Sequence, residues 1–326
     1  NSTSNIVASD YNDLYTEGTY LGYWSGNRST LAQWQSASSK DANSVSVDPF
    51  FTSATDLHAN AVGCDGQANP IVGITYDIDG ESRDATNPDI GADEFSLSPL
   101  AGTYYIGGVS PDYATFSEAV YDLNTRPGEE AVIFKVRDGL YNDHFSIKTI
   151  YGVSEINTVT FEPDTSSDVT VTYAPTSSDN YIVQFDDADH VTFKNITFTA
   201  TGSSYGRVFD FLDGSHNISI EGNTINGIVT TSISENLAVI YSYTGTENNF
   251  VSIENNDINN GSTSLFLYGA NSSDPEEACN ISNNTIQDFH YRGIYIQYFD
   301  SVRVISNTIF AKSSGGRSTQ FGFVPG

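Results

Sequence analysis

The residues whose types could do chemistry are mostly acids. Asp186, Asp187, Asp189 and His190 crowd one short stretch, Asp210 and Asp213 form a second group, and Asp288, His290 and Arg292 a third. Two or three carboxylates placed around a glycosidic bond can hydrolyse it, one protonating the leaving oxygen and another acting as base or nucleophile. Asp186, Asp187, Asp210, Asp213 and Arg292 are the candidates for such work. Asp and Gly in these places also build tight turns, and the basic residues that could polarise a uronate, Arg207, Arg292 and Arg303, are scattered. The turn reading is preferred, so no residue is assigned a catalytic role.

A second constellation reads Asp77-Ile78-Asp79-Gly80-Glu81-Ser82-Arg83-Asp84. Alternate carboxylates around a glycine suit Ca²⁺, which makes Asp77, Asp79, Glu81 and Asp84 the metal candidates. The terminal bidentate Glu of an EF-hand is missing, and the competing reading is a closing loop in which Arg83 pairs with an Asp. Tyr241, Tyr243, Tyr268, Tyr295 and Tyr298 recur at strand-like positions, where an exposed row could stack on sugars or bind a partner, or serve as ordinary cross-strand packing. Cys64 and Cys279 are too few for a disulfide framework. Cys279 falls in an apolar column and reads as a small buried hydrophobe rather than a nucleophile.

These residues hang on a repeat. Five eight-residue blocks align without gaps: 191–198 (VTFKNITF), 218–225 (ISIEGNTI), 251–258 (VSIENNDI), 279–286 (CNISNNTI) and 302–309 (VRVISNTI). Positions one, three and eight are apolar; position six is Ile196, then Asn223, Asn256, Asn284 and Asn307. Positions one and three alternate with a polar residue and so share one face of a short strand. The asparagine is expected at the strand end, in the left-handed backbone that Asn tolerates, with its amide bonding the next copy in a ladder one coil away. A second apolar run precedes each block, at 182–185, 208–211, 239–243, 265–268 and 294–298, and earlier coils are expected at 131–136, 158–162 and 169–173. No single rung can bury its own face, so the rungs must stack. Residues 113–124 (YATFSEAVYDLN) place Phe116, Ala119, Val120 and Leu123 on one helical face behind a Thr115–Glu118 capping box, and are expected to plug the first coil.

The strand pattern and asparagine column over roughly 130–312 resemble right-handed parallel β-helix repeats of the pectate-lyase-like superfamily. The resemblance implies an all-β solenoid. It does not imply an activity, because the family's catalytic motifs (paired Asp with Gly-His-Gly and Arg-x-Lys) have no counterpart here. GTYYIGG followed by DYATFSEAV is similar to the opening of β-helix domains in large surface proteins of Bacteroidota-type bacteria, while 10–16, 30–35, 47–51 and 77–95 (DIDG…PDIGADEF) resemble the closing pattern of such a domain. The expected organisation is therefore a closing segment over 1–95, a linker at 96–100, and a second module over 101–326 that stops without a closing motif. This order implies tandem modules, or neighbouring copies joined head to tail.

Composition bounds the function. Among 326 residues, 41 are Asp or Glu and 13 Lys or Arg, a formal charge of −28, which excludes nucleic acid and anionic membrane surfaces as partners. No apolar run is long enough to span a bilayer. Methionine is absent, so Asn1 is expected to be a processed or excised end. The reading that follows is a non-catalytic, extracellular structural or adhesive module, with Ca²⁺ as candidate ion and glycans as candidate ligands. The alternatives are a carbohydrate-active β-helix enzyme and a non-catalytic glycan-binding module.

Overall fold

A computed structural model describes residues 6–16, 18–165, 168–212, 214–242, 248–271, 273, 275–311 and 321–325, the last stretch by backbone alone. The chain forms two units, Asn1–Pro99 with Thr125–Pro127, and Leu100–Asn124 with Gly128–Gly326.

The second unit is a parallel β-helix, as the repeat predicts. Its first sheet stacks eight strands in chain order: Leu100–Ile106, Gly128–Val136, Val159–Pro163, Val191–Lys194, Ser219–Glu221, Ser252–Glu254, Asn280–Ser282 and Arg303–Ile305. A second sheet of seven strands runs from Gly139–Asn142 to Thr308–Phe310, and a third of seven from Phe145–Ile147 to Phe321–Pro325. All pairings in these sheets are parallel, one strand per sheet per coil, giving seven coils wound in the right-handed sense of parallel crossovers.

Side chains one and three of each block point inward. Val191, Phe193, Ile218, Ile220, Ile253 and Ile281 have no exposure, and the position-eight residues Phe198, Ile225, Ile258 and Ile286 close the core from the second sheet. In the register column Phe134–Phe161–Phe193, ring centroids stand 4.6 and 4.7 Å apart. Each such buried side chain contributes on the order of 1.5–3 kcal/mol from burial alone.

The asparagines form a spine. Asn223, Asn256 and Asn284 are each 1% exposed, and their Nδ2 groups donate to Asn256, Asn284 and Asn307 Oδ1 at 3.2, 3.0 and 2.9 Å. Each also donates to a backbone carbonyl of the preceding coil (Phe193, Ile220, Ile253), while its Oδ1 accepts the N–H of the preceding coil's position six. The left-handed residue, however, is position five, not six: Asn195, Gly222, Asn255, Asn283 and Ser306 have φ from 55° to 68°. Position six keeps ordinary backbone and turns its amide inward, because the corner one residue earlier has already redirected the chain. A second left-handed corner precedes each block, at His190, Asn217, Phe250, Ala278 and Ser301.

The expected helix forms as Phe116–Thr125 and buries Phe116, Ala119, Val120 and Leu123 to 2% exposure or less. Thr115 Oγ1 accepts the Glu118 N–H at 3.2 Å and Glu118 Oε2 accepts the Ala114 N–H at 2.6 Å. Phe116 stacks on Phe145 with centroids 5.3 Å apart, so the helix covers the apolar mouth of the first coil.

The first unit holds little regular structure: helix Leu31–Ser38, capped by the Thr30 hydroxyl, and an antiparallel pair, Gly22–Tyr23 with Asn27–Arg28. Its core is small. Ala61, Cys64 and Ile90 are buried, ringed by Val45, Val47, Phe50, Ala68 and Phe95. Polar networks hold the rest: Asp41, 1% exposed, accepts from Trp34 Nε1 at 2.6 Å, Asn12 Nδ2 at 2.9 Å and the hydroxyls of Ser9 and Ser44 at 2.8 and 3.0 Å. Among the described residues, no helix is long and apolar enough to cross a membrane.

Candidate functional site

The outer face of the third sheet carries a group of polar and aromatic side chains. Alternate residues point outward and fall in register, giving the column Ser146–Gln184–Asp210–Tyr241–Phe266–Tyr295. Asp210 is 4% exposed; its Oδ1 accepts from Arg207 at 2.9 Å and its Oδ2 from Gln184 Nε2 at 3.1 Å. Burial pushes its carboxyl up, against the opposing pull of Arg207 and Gln184. The Arg207 guanidinium also lies 3.4 Å from the ring centre of Tyr241, a cation–π contact that sandwiches it between acid and aromatic.

Below Tyr241 the aromatics stack. Tyr241 and Phe266 centroids are 5.2 Å apart, and Phe266 and Tyr295 4.9 Å apart. Tyr268 packs beside Phe266 and meets Tyr298 edge-on at 5.2 Å. Arg292 lies over Tyr295 and Tyr291 at 4.3 and 4.4 Å. Of the two expectations for the tyrosines, an exposed row or cross-strand packing, the described ones show packing. Tyr241 is 4% exposed because Arg207 and the turn Glu235–Leu237 lie against it; Tyr268, Tyr295 and Tyr298 are half-buried. Tyr243 lies outside the described residues.

Of the candidate acids, Asp186 and Asp210 lie on the outer face of neighbouring coils, both near Tyr181, and the other described ones stand at separate corners. Asp187 has φ 60°, is exposed, and accepts from the Thr149 hydroxyl at 2.5 Å; Asp186 beside it is half-buried. Asp189 accepts the His216 N–H at 2.8 Å, and His190 and Asp288 occupy left-handed corners. Arg292 belongs to a strand three coils from Asp210, which is ~14 Å at the usual strand spacing. Asp213 lies outside the described residues.

In the first unit, the four acids expected to form a Ca²⁺ loop do not converge. Asp77 Oδ1 accepts the N–H groups of Asp79 and Glu81 at 2.9 and 2.7 Å, so it shapes its own turn. Asp84 accepts from Thr86 N–H, Thr86 Oγ1 and Asn87 N–H at 2.7, 2.7 and 2.8 Å, and these bonds hold its carboxyl at about 2. Glu81 is exposed. Arg83 pairs with Glu94 at 3.3 Å rather than with an Asp. Only Asp79 of the four reaches a cluster, with His58 and Asp93. Spacing along the chain did not disclose that cluster, because its members come from three separate loops. The one local signal was an Asp56-x-His58 pair.

Both cysteines are free and buried. Burial pushes each thiol up to about 12, with Asp13 adding to the effect at Cys64 and Glu276 at Cys279, so neither is poised as a nucleophile.

The stacked coils, the inner asparagine spine and the helix over the first coil define the chain as a parallel β-helix protein. Among solved structures it is similar to pectin methylesterase from Aspergillus niger in its deglycosylated form, at 13% identity over 69% of this chain and 91% of that one, TM-score 0.41. The same enzyme retaining an N-acetylglucosamine stub gives 14% identity over 70% and 73%, TM-score 0.40. A substituted pectin methylesterase in complex with a hexasaccharide gives 11% identity over 71% of each chain, TM-score 0.35. Neither a family model nor a curated protein matches the sequence.

Proposed function

We propose that the chain is a non-catalytic, extracellular structural module of a Bacteroidota-type surface protein, a length of β-helix rod joined coil to coil to neighbouring modules or copies. The observation that carries this reading is the use of the candidate acids. Asp210 is buried in an ion pair with Arg207, and Asp187, Asp189 and Asp288 serve the corners of the coils. Acidic, Asn- and Ser-rich composition favours the cell exterior.

Sedimentation velocity tests the joining. The wild-type chain is expected to self-associate as concentration rises, and Ile309→Asp or Phe310→Lys to hold it monomeric. A chain that stays monomeric throughout, with the same profile in the variants, contradicts the reading.

A second reading, carbohydrate binding or catalysis on the third sheet, is favoured by the Gln184–Asp210–Arg207 group beside the aromatic column. A buried carboxyl with a raised pKa next to an arginine is a recurrent feature of active sites. Turnover of a uronate-containing polysaccharide that is abolished by Asp210→Asn would replace the first reading with this one.

A further inference from the structure

In the first unit three loops bring His58, Asp79 and Asp93 together. One ligand atom from each lies within 4.8 Å of the others. The ring of His58 is held between carboxylates: Nδ1 faces Asp56 and Nε2 faces Asp79. Asp93 is 7% exposed, and among the described residues its carboxylate has no hydrogen-bond or ion-pair partner.

The other polar residues of this region have structural work. Asp77 and Asp84 cap turns, Arg83 pairs with Glu94, and Asp89 accepts the N–H groups of Gly66 and Phe95, each at 2.6 Å. Asp93 alone among them is buried without one. The two ring nitrogens of His58 each face one carboxylate, Asp56 and Asp79, which leaves the third, Asp93, without an N–H. A carboxylate of a residue only 7% exposed, with no N–H to meet it, favours a cation at its side.

We infer that His58 Nε2, Asp79 and Asp93 bind a divalent transition-metal ion, with Asp56 as the residue that orients the imidazole through Nδ1–H. One neutral imidazole and two carboxylates neutralise a 2+ charge. The donor set suits Zn²⁺ and its neighbours rather than Ca²⁺, which takes six to eight oxygen ligands. Ligands bound at ~2.1 Å from one ion stand roughly 3–4 Å apart, a spacing these loops can reach by small side-chain rotations. Asp56 on the far ring nitrogen matches the carboxylate–histidine–metal arrangement that fixes ring tautomer and orientation. His58 and Asp79 keep side-chain exposures of 40% and 53%, leaving an entry path and room for water to complete the shell. The role is a staple. Among its described residues the unit has a buried apolar cluster of only Ala61, Cys64 and Ile90, and its one cysteine is free; small cores of this kind are commonly held by metals or disulfides.

The test uses the full chain without a histidine tag, stripped with EDTA and titrated with ZnCl₂ by calorimetry. One equivalent is expected to bind, uncontested by excess Ca²⁺, and to slow proteolysis of the first unit. His58→Ala and Asp93→Asn are expected to lose this binding, Asp56→Asn to weaken it about 10- to 100-fold, and Asp84→Asn to leave it unchanged. Asp93→Asn should melt at or above the wild type in EDTA, because it removes a largely buried charge that has no partner, which separates lost binding from lost folding. A variant-free readout is the ¹⁵N shift of the His58 ring, where Zn²⁺ should move Nε2 and leave Nδ1 protonated. Wild-type affinity no stronger than that of Asp93→Asn, an unmoved Nε2 resonance, or Ca²⁺ binding independent of His58 would overturn the inference.

Discussion

Replacing Asn256 by alanine tests the spine at its middle. The Asn256 amide makes four bonds: Nδ2 to the Ile220 carbonyl at 2.8 Å and to Asn284 Oδ1 at 3.0 Å, and Oδ1 from Asn223 N–H at 2.8 Å and Asn223 Nδ2 at 3.2 Å. Both hydrogens and both lone pairs are used. Truncation leaves two buried donors of Asn223 with no acceptor, at about 1–3 kcal/mol each, so the cost is about 4 kcal/mol. The control sits on the same coil. Asn259 belongs to an outer, half-buried ladder, donating to Asn226 Oδ1 at 3.0 Å and accepting from Gln287 at 2.7 Å, where water can replace the lost bonds. Asn259→Ala should cost about 0.5–1 kcal/mol. Stacked coils open in local units, so hydrogen exchange resolved by segment is the appropriate assay. Amides of Ser219–Glu221, Ser252–Glu254 and Asn280–Ser282 should lose protection about a thousandfold in Asn256→Ala, since ~1.4 kcal/mol is a factor of ten. If Asn256→Ala and Asn259→Ala lose the same protection, the buried amides are not what binds the coils.

Other expectations follow from the same geometry. Gly222 sits at φ 68°, where a Cβ would stand 2.4 Å from Asn195 Oδ1, so Gly222→Ala should lower stability by about 1–2 kcal/mol in urea unfolding, with partial relief in an Asn195→Ala background. Arg207→Ala leaves the buried Asp210 without its cation and should cost about 3 kcal/mol, most of it recovered by adding Asp210→Leu. The Asp84 carboxyl, lowered to about 2 by the Asn87 N–H and then by Thr86, should contribute stability that is complete above its unfolded pKa of ~4 and is lost as pH falls through about 2. Its ¹³C titration midpoint should rise in Thr86→Val.

The β-helix was readable because stacking forces a period on the sequence: apolar residues at positions one, three and eight recur wherever a coil must add to the shared core. The spine was readable for the same reason, since only a side-chain amide offers two donors and two acceptors to its own copy. Position five escaped notice because the column is chemically mixed (Asn195, Gly222, Asn255, Asn283, Ser306) while its conformation is uniform. Alternation assigned Tyr241 to the outer face, but it carries no information about Arg207 or the Glu235–Leu237 turn folding over that face. The loops of the first unit were the least legible. DIDG reads as a Ca²⁺ loop by composition, yet Asp77 and Asp84 are occupied by backbone N–H groups, which sequence does not display.

The claim that the third sheet is a wall rather than an active site is tested most directly by incubating the wild-type chain with pectin, alginate and related uronate polymers, with and without Ca²⁺ or Zn²⁺, and following ester, reducing-end and unsaturated products. No turnover above that of the Asp210→Asn variant is expected. Product formation by the wild type that disappears in Asp210→Asn, with both proteins equally folded, would contradict it.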